Sequence, residues 1–94
     1  MITRLVKMEL NDEFTVQFPL FFKNLKSKIE AFEGCLEVSL QQDIHQKNTF
    51  FTISKWNSET DLNNYRDSEL FIETWKTVKP NFTEKAVAWS LETP

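Results

Sequence analysis

Residues Phe50 to Phe82 read FFTISKWNSETDLNNYRDSELFIETWKTVKPNF. Thr49–Trp56 is a run of aromatic and β-branched residues and reads as a strand. Phe50 and Phe51 are neighbours, so they point to opposite faces of a sheet; Ile53 joins Phe51, and Trp56 joins Phe50. Both faces of this strand therefore want cover. Ser58 is placed to cap a short helix carrying Leu62 and Tyr65, because its hydroxyl can accept a free amide of the first turn. Asp67-Ser68 restarts the helix. Leu70, Phe71, Trp75, Val78 and Phe82 then form its buried stripe. Pro80 disturbs the last turn, since it lacks an amide proton.

The pattern extends in both directions. Over residues 2–10, Ile2, Val6, Met8 and Leu10 fall on one side of a strand and Thr3, Lys7 and Glu9 on the other, with Arg4 and Leu5 breaking the alternation. Asn11 or Asp12 caps a helix whose apolar stripe is Phe14, Phe18, Phe21, Phe22, Leu25, Ile29 and Phe32. Pro19 lies inside that helix and is expected to kink or loosen its first turns. Gly34, the only glycine, is a natural left-handed stop. Cys35–Asp43 alternates again, with Leu36, Val38 and Leu40 against Glu37, Ser39 and Gln41. Ile44–Asn48 is polar enough for a hairpin loop. In the last strand, Val87, Trp89 and Leu91 alternate with Ala86, Ala88 and Ser90. The order is βαββαβ with the second helix broken in two, which is the α+β, ferredoxin-like arrangement with a four-stranded antiparallel sheet. Helices cover one face of that sheet. The other face carries at least Leu5, Phe51 and Ile53, and a monomer would leave it wet. A second copy packed face to face would cover it, so a homodimer is expected.

At 94 residues the chain reads as one domain, 1–94. A domain this small buries only roughly 60–65% of its unfolded surface, so a partner that adds burial matters. Hydrophobic residues make up 40% of the chain, with nine Phe and three Trp, which is rich enough to fold. The net charge of −3 argues against nucleic acid or an anionic membrane surface as partner, since either needs a basic face. One cysteine cannot form an internal disulfide, so Cys35 fits a reducing, cytoplasmic setting. MITRLVKMEL lacks the apolar core of a secretory signal. No stretch approaches the roughly 18–20 apolar residues of a membrane helix.

The composition also strikes out several chemistries. A single glycine cannot build a phosphate-cradling loop or a dinucleotide fingerprint. One His and one Cys, His45 and Cys35, make no conventional metal site, and no metal is expected. His45 sits in the hairpin loop and no nucleophile-elbow pattern surrounds any serine. What remains is an aromatic-lined space between helices and sheet, suited to a flat phenolic or quinone-like molecule. Tyr65 stands out within it, because a buried phenol hydroxyl needs a polar partner. Arg4 either neutralises a bound phenolate or pairs with a carboxylate near the sheet edge.

The Phe50–Phe82 pattern resembles the antibiotic biosynthesis monooxygenase family. Met1–Glu13, the Phe32-Glu33-Gly34-Cys35 turn and Ala88-Trp89-Ser90 fit the same pattern, so the resemblance covers nearly the whole chain. It implies a dimeric α/β barrel, in which two sheets pack together. It also implies a cofactor-independent monooxygenase oxidising a small aromatic, phenolic or quinol substrate. In quinone-forming members the third strand ends in a Trp, matched here by Trp56. The family's Asn, four residues earlier, is Thr52 here. The Tyr that often follows on the next helix falls at Leu62, with Tyr65 one turn later. By this resemblance Trp56, Tyr65 and Thr52 are the catalytic candidates. Phe22, Phe71, Trp75 and Arg4 are the substrate-binding ones. Haem-degrading relatives place an iron-ligating His near the position of Trp75, and no His follows His45. The alternative reading is a non-catalytic dimeric module that binds a small molecule or serves a stress role.

Overall fold

Asn11 decides where the first helix begins. Its side-chain oxygen accepts the Phe14 amide at 2.7 Å, satisfying one of the free donors of the first turn. The computed structural model describes residues 1–94. It orders them as β1 (Ile2–Glu9), α1 (Asp12–Glu30), β2 (Cys35–Gln42), β3 (Thr49–Trp56), α2 (Glu59–Arg66), α3 (Glu69–Val78) and β4 (Val87–Leu91), with a 3₁₀ turn over Lys79–Asn81. The sheet order is β2-β3-β1-β4, and every neighbouring pair is antiparallel. This is the expected α+β, ferredoxin-like βαββαβ sheet with its second helix broken.

The break has a local cause. Ser58 caps α2 by accepting the Asp61 amide at 3.1 Å. Ser68 caps α3 by accepting the Phe71 amide at 3.2 Å. The new cap, Ser68, restarts the helix two residues after α2 ends at Arg66. Pro80 falls in the 3₁₀ turn that closes α3, where a tighter turn tolerates the missing amide.

Three expectations need correction. α1 stays helical without interruption through Pro19, because its apolar stripe is anchored on both sides of the proline by Phe14, Phe18, Phe22 and Ile29. The stop expected near Gly34 falls at Glu30, four residues earlier. Gly34 adopts φ +82° in the turn that follows. Finally, β2 does not alternate cleanly. Cys35 pairs with Trp56 but Glu37 pairs with Lys55, so Leu36 is the extra residue of a bulge and is half exposed.

β1 is regular, with Ile2, Arg4, Val6 and Met8 all on the helix-covered face. Arg4 and Leu5 do not break its register. They look out of place in the sequence because the inner face holds a charge and the outer face is itself apolar. On that outer face Trp89, Leu5 and Ile53 are register neighbours across three strands. Phe51 is half-buried, while Val87, Trp89 and Leu91 remain more than 40% exposed.

The core on the inner face is divided. One cluster is built on Met8, Leu10, Phe14, Phe18, Phe50 and Val78. The other is built on Phe22, Ile29, Val38, Trp56 and Leu62. No helix is long and apolar enough to cross a membrane.

Candidate functional site

Between the two core clusters lies a cavity of about 290 Å³. Its floor is the inner face of the sheet, from Arg4, Val6 and Met8 on β1 to Thr52 and Ser54 on β3. Its roof is α1, α2 and α3. The large aromatic side chains do not fill the space, although well-packed cores leave few voids larger than a water molecule. Phe18 and Phe22 enter from α1, and Phe71 and Trp75 from α3, where their rings stack with centroids 5.6 Å apart and planes at 14°.

Six of the seven residues singled out from the sequence line this cavity: Arg4, Phe22, Thr52, Tyr65, Phe71 and Trp75. Trp56 stands one layer back. It is fully buried, its indole N–H donates to the Ser54 hydroxyl at 2.9 Å, and its ring stacks on Tyr65 at 5.0 Å. Trp56 therefore positions Tyr65 and Ser54 rather than facing the cavity itself. Tyr65 is clamped further by Phe32 and Phe71, both edge-on at 5.2 and 5.3 Å.

Burial pushes the Tyr65 phenol up to about 12, and the neighbouring Cys35 adds to the shift. The hydroxyl thus keeps its proton at neutral pH and can only donate to an anionic oxygen or exchange bonds with a neutral one. Cys35 is also raised, first by burial and then by the charge of Glu30, so it rests as a thiol. It is half-buried against the second cluster.

Arg4 pairs with no carboxylate. Its Nη1 donates to Ser90 Oγ at 2.9 Å, across the β1–β4 register. Its pKa is lowered, first by burial and then by the positive charge of Arg66. Arg66, Ser54 and Thr74 also line the cavity and were not picked out from the sequence. Arg66 follows Tyr65 directly, at the end of α2, where a charged residue reads as part of a solvated helix end. No Asp, Glu, His or Lys lines the cavity. His45 lies in the β2–β3 loop, exposed, with its amide bound to the Asp43 carboxylate at 2.7 Å. No group of three or more His, Cys, Asp and Glu side chains comes together anywhere in the structure.

The sequence model of the antibiotic biosynthesis monooxygenase family matches residues 1–77. The chain belongs to the antibiotic biosynthesis monooxygenase family. The match spans β1 to α3 and so includes most of the cavity. Solved structures agree on the fold. A crystal structure described as an antibiotic biosynthesis monooxygenase superposes with a TM-score of 0.90 at 15% identity, covering 100% of this chain and 99% of that one. Rv0793 from Mycobacterium tuberculosis gives 0.88 at 12% identity, covering 99% and 94%. A conserved protein from Methanosarcina mazei Go1 gives 0.90 at 18% identity, covering 100% and 94%. No curated protein matches the chain. At these identities the fold alone carries over. Family membership supports a monooxygenase-like or small-molecule-binding role.

Proposed function

We propose that the chain is a cofactor-independent monooxygenase acting on a small aromatic phenol or quinol, with residues 1–94 as one domain. The observation that carries this reading is the unfilled cavity, walled by Phe22, Phe71 and Trp75 and edged by Tyr65, Thr52 and Arg4. Apolar walls with a few convergent polar groups are what a flat, oxygen-bearing ring requires. In the proposed reaction the substrate supplies the electrons. A phenol gives up its hydroxyl proton and the electron-rich ring reacts with dioxygen. One oxygen atom enters the ring to give a quinone and the other leaves as water. Tyr65, protonated, donates to the substrate oxygen as charge develops on it. Thr52 offers a second hydrogen bond, and Arg4 stabilises the phenolate. Trp56 keeps Tyr65 in place.

A homodimer completes the reading. A second copy packed on the outer sheet face would cover Leu5, Ile53 and Trp89, and the two sheets would form the shared barrel of the family. A small aromatic molecule and a second copy are then the partners, in a cytoplasmic setting.

One observation favours a second reading, a non-catalytic module that binds a small molecule: no carboxylate, His or Lys lines the cavity to act as base. Oxygen uptake separates the two. Purified protein is tested against hydroquinones, catechols and anthrones beside the Tyr65→Phe variant. Uptake above autoxidation that drops about tenfold or more in the variant is the expected result. A saturable change in tryptophan fluorescence without uptake across the panel would leave the binding module standing and sink the oxygenase.

A further inference from the structure

The chain has two arginines in all, and both line the cavity. Neither belongs to an ion pair. The salt bridges are Lys26–Glu30, Lys55–Glu37 and Lys76–Glu73. Acidic residues outnumber basic ones, fourteen to eleven, yet none of them reaches into the cavity to neutralise these guanidiniums. Arg4 is partly drawn out of water with no carboxylate partner, which is costly, and Arg66, exposed at the cavity mouth, adds like-charge repulsion. Burial and Arg66 together lower the Arg4 pKa, which marks the two as electrostatic neighbours.

The positive charge continues outward. Arg66, Phe71 and Trp75 also line a shallower groove on the protein surface, with Lys76 and Lys79. Arg66 therefore stands where the groove meets the cavity. A path edged by Lys79 and Arg66, with Lys76 partly offset by Glu73, and ending at Arg4 attracts an anion toward an apolar chamber, on a protein whose net charge is negative.

We propose that the ligand of this cavity is an aromatic carboxylate, its one- or two-ring body between Phe22, Phe71 and Trp75 and its carboxylate held by Arg4 and Arg66. This rests on the cavity being the ligand site, and it narrows the phenolic substrate proposed above to a hydroxylated aromatic acid. A carboxylate reaches the site already charged, and its planar pair of oxygens matches the guanidinium fork. A neutral phenol would leave the partly buried Arg4 without a counter-charge until it ionised. A phosphate is a poorer fit, since no glycine-rich loop supplies amides here; the only glycine, Gly34, does not line the cavity. The arrangement also answers the missing base. Two cations beside the ring lower the pKa of a phenol on the same molecule, so its proton can leave to water without a protein carboxylate.

The test is calorimetric titration at neutral pH with 2-naphthoate and its neutral isostere 2-naphthamide, on the wild type, Arg4→Gln and Arg66→Gln. Binding needs no turnover, so the result is independent of the oxygenase reading. We expect 2-naphthoate to bind about tenfold or more tightly than the amide, and added salt to narrow the gap. Each glutamine variant should lose most of that preference while still binding the amide, which shows that the variant is folded. If the amide binds as tightly as the acid, or if both variants keep the preference, the carboxylate assignment is overturned and the aromatic site survives. If neither compound binds, the site and the assignment fall together.

Discussion

Tyr65 is the only tyrosine in the chain, so its ionisation can be followed without interference from another phenol. Stacked on Trp56 and raised to about 12, it should titrate in the folded protein with a midpoint near that value by tyrosinate absorbance. Unfolding in urea should return it to about 10. A native midpoint close to 10 would contradict its burial. The same shift sets a stability dependence. Below pH of about 10, Tyr65 is protonated in both states and the difference contributes fully. Between about 10 and about 12 the unfolded state ionises first, and that stabilisation is lost as pH rises. Tyr65→Phe should remove this part of the alkaline slope. The place of Tyr65 at the cavity was legible because a lone phenol on an apolar stripe is conspicuous. Trp56 was legible as a strand-end aromatic, but not its direction. Only the bond to Ser54 shows that it lies behind Tyr65 instead of facing the cavity. Arg66 was not legible, since nothing in NNYRDS separates a guanidinium at a cavity mouth from one in water.

At the scale of elements, the turn between α1 and β2 is tied to α2. The Gly34 carbonyl accepts the Asn57 amide at 2.8 Å, and a Cβ on Gly34 would run into the side chain of Asp61. Asp61 lies in the first turn of α2 and donates its amide to the Ser58 cap. Gly34→Ala therefore strains the backbone at φ +82° and presses on the helix that carries Tyr65. It should cost about 2 kcal/mol or more, read as a lower urea midpoint; a midpoint equal to wild type would mean the turn is not constrained. Caps and periodicity announced α1, α2 and α3, because Asn11, Ser58 and Ser68 act on amides three residues away. The bulge at Leu36 left no such mark. It depends on how β2 meets β3, and strand register is a tertiary property.

For the whole molecule, the outer sheet face is an apolar surface left uncovered in the single chain. Leu5, Ile53 and Trp89 form an apolar row across three strands, and Trp89 is 41% exposed. A charge in the middle of a face-to-face interface would remain desolvated and unpaired. Trp89→Glu should therefore convert a dimer into a monomer in sedimentation velocity, with the helix content retained. A wild type that already sediments as a monomer would refute the shared barrel. The fold class was legible because six alternating and helical segments, in that order, admit few topologies. The cavity was legible only as an aromatic neighbourhood. Whether rings meet or leave a gap depends on packing between elements distant in the chain, here the split between the cluster around Phe50 and the one around Trp56.

The place of β1 in the sheet has a temporal side. It lies between β3 and β4, and Arg4 finds Ser90 86 residues away. On a ribosome the second strand of the sheet's middle pair arrives after half the chain, and the strand that seals the other edge of β1 arrives last. Until then a growing chain holds an open, partly apolar strand that must be kept from wrong neighbours. The geometry that gathers Arg4, Thr52 and Ala88 around one cavity can exist only after that final closure, so the cavity is among the last things the nascent protein acquires.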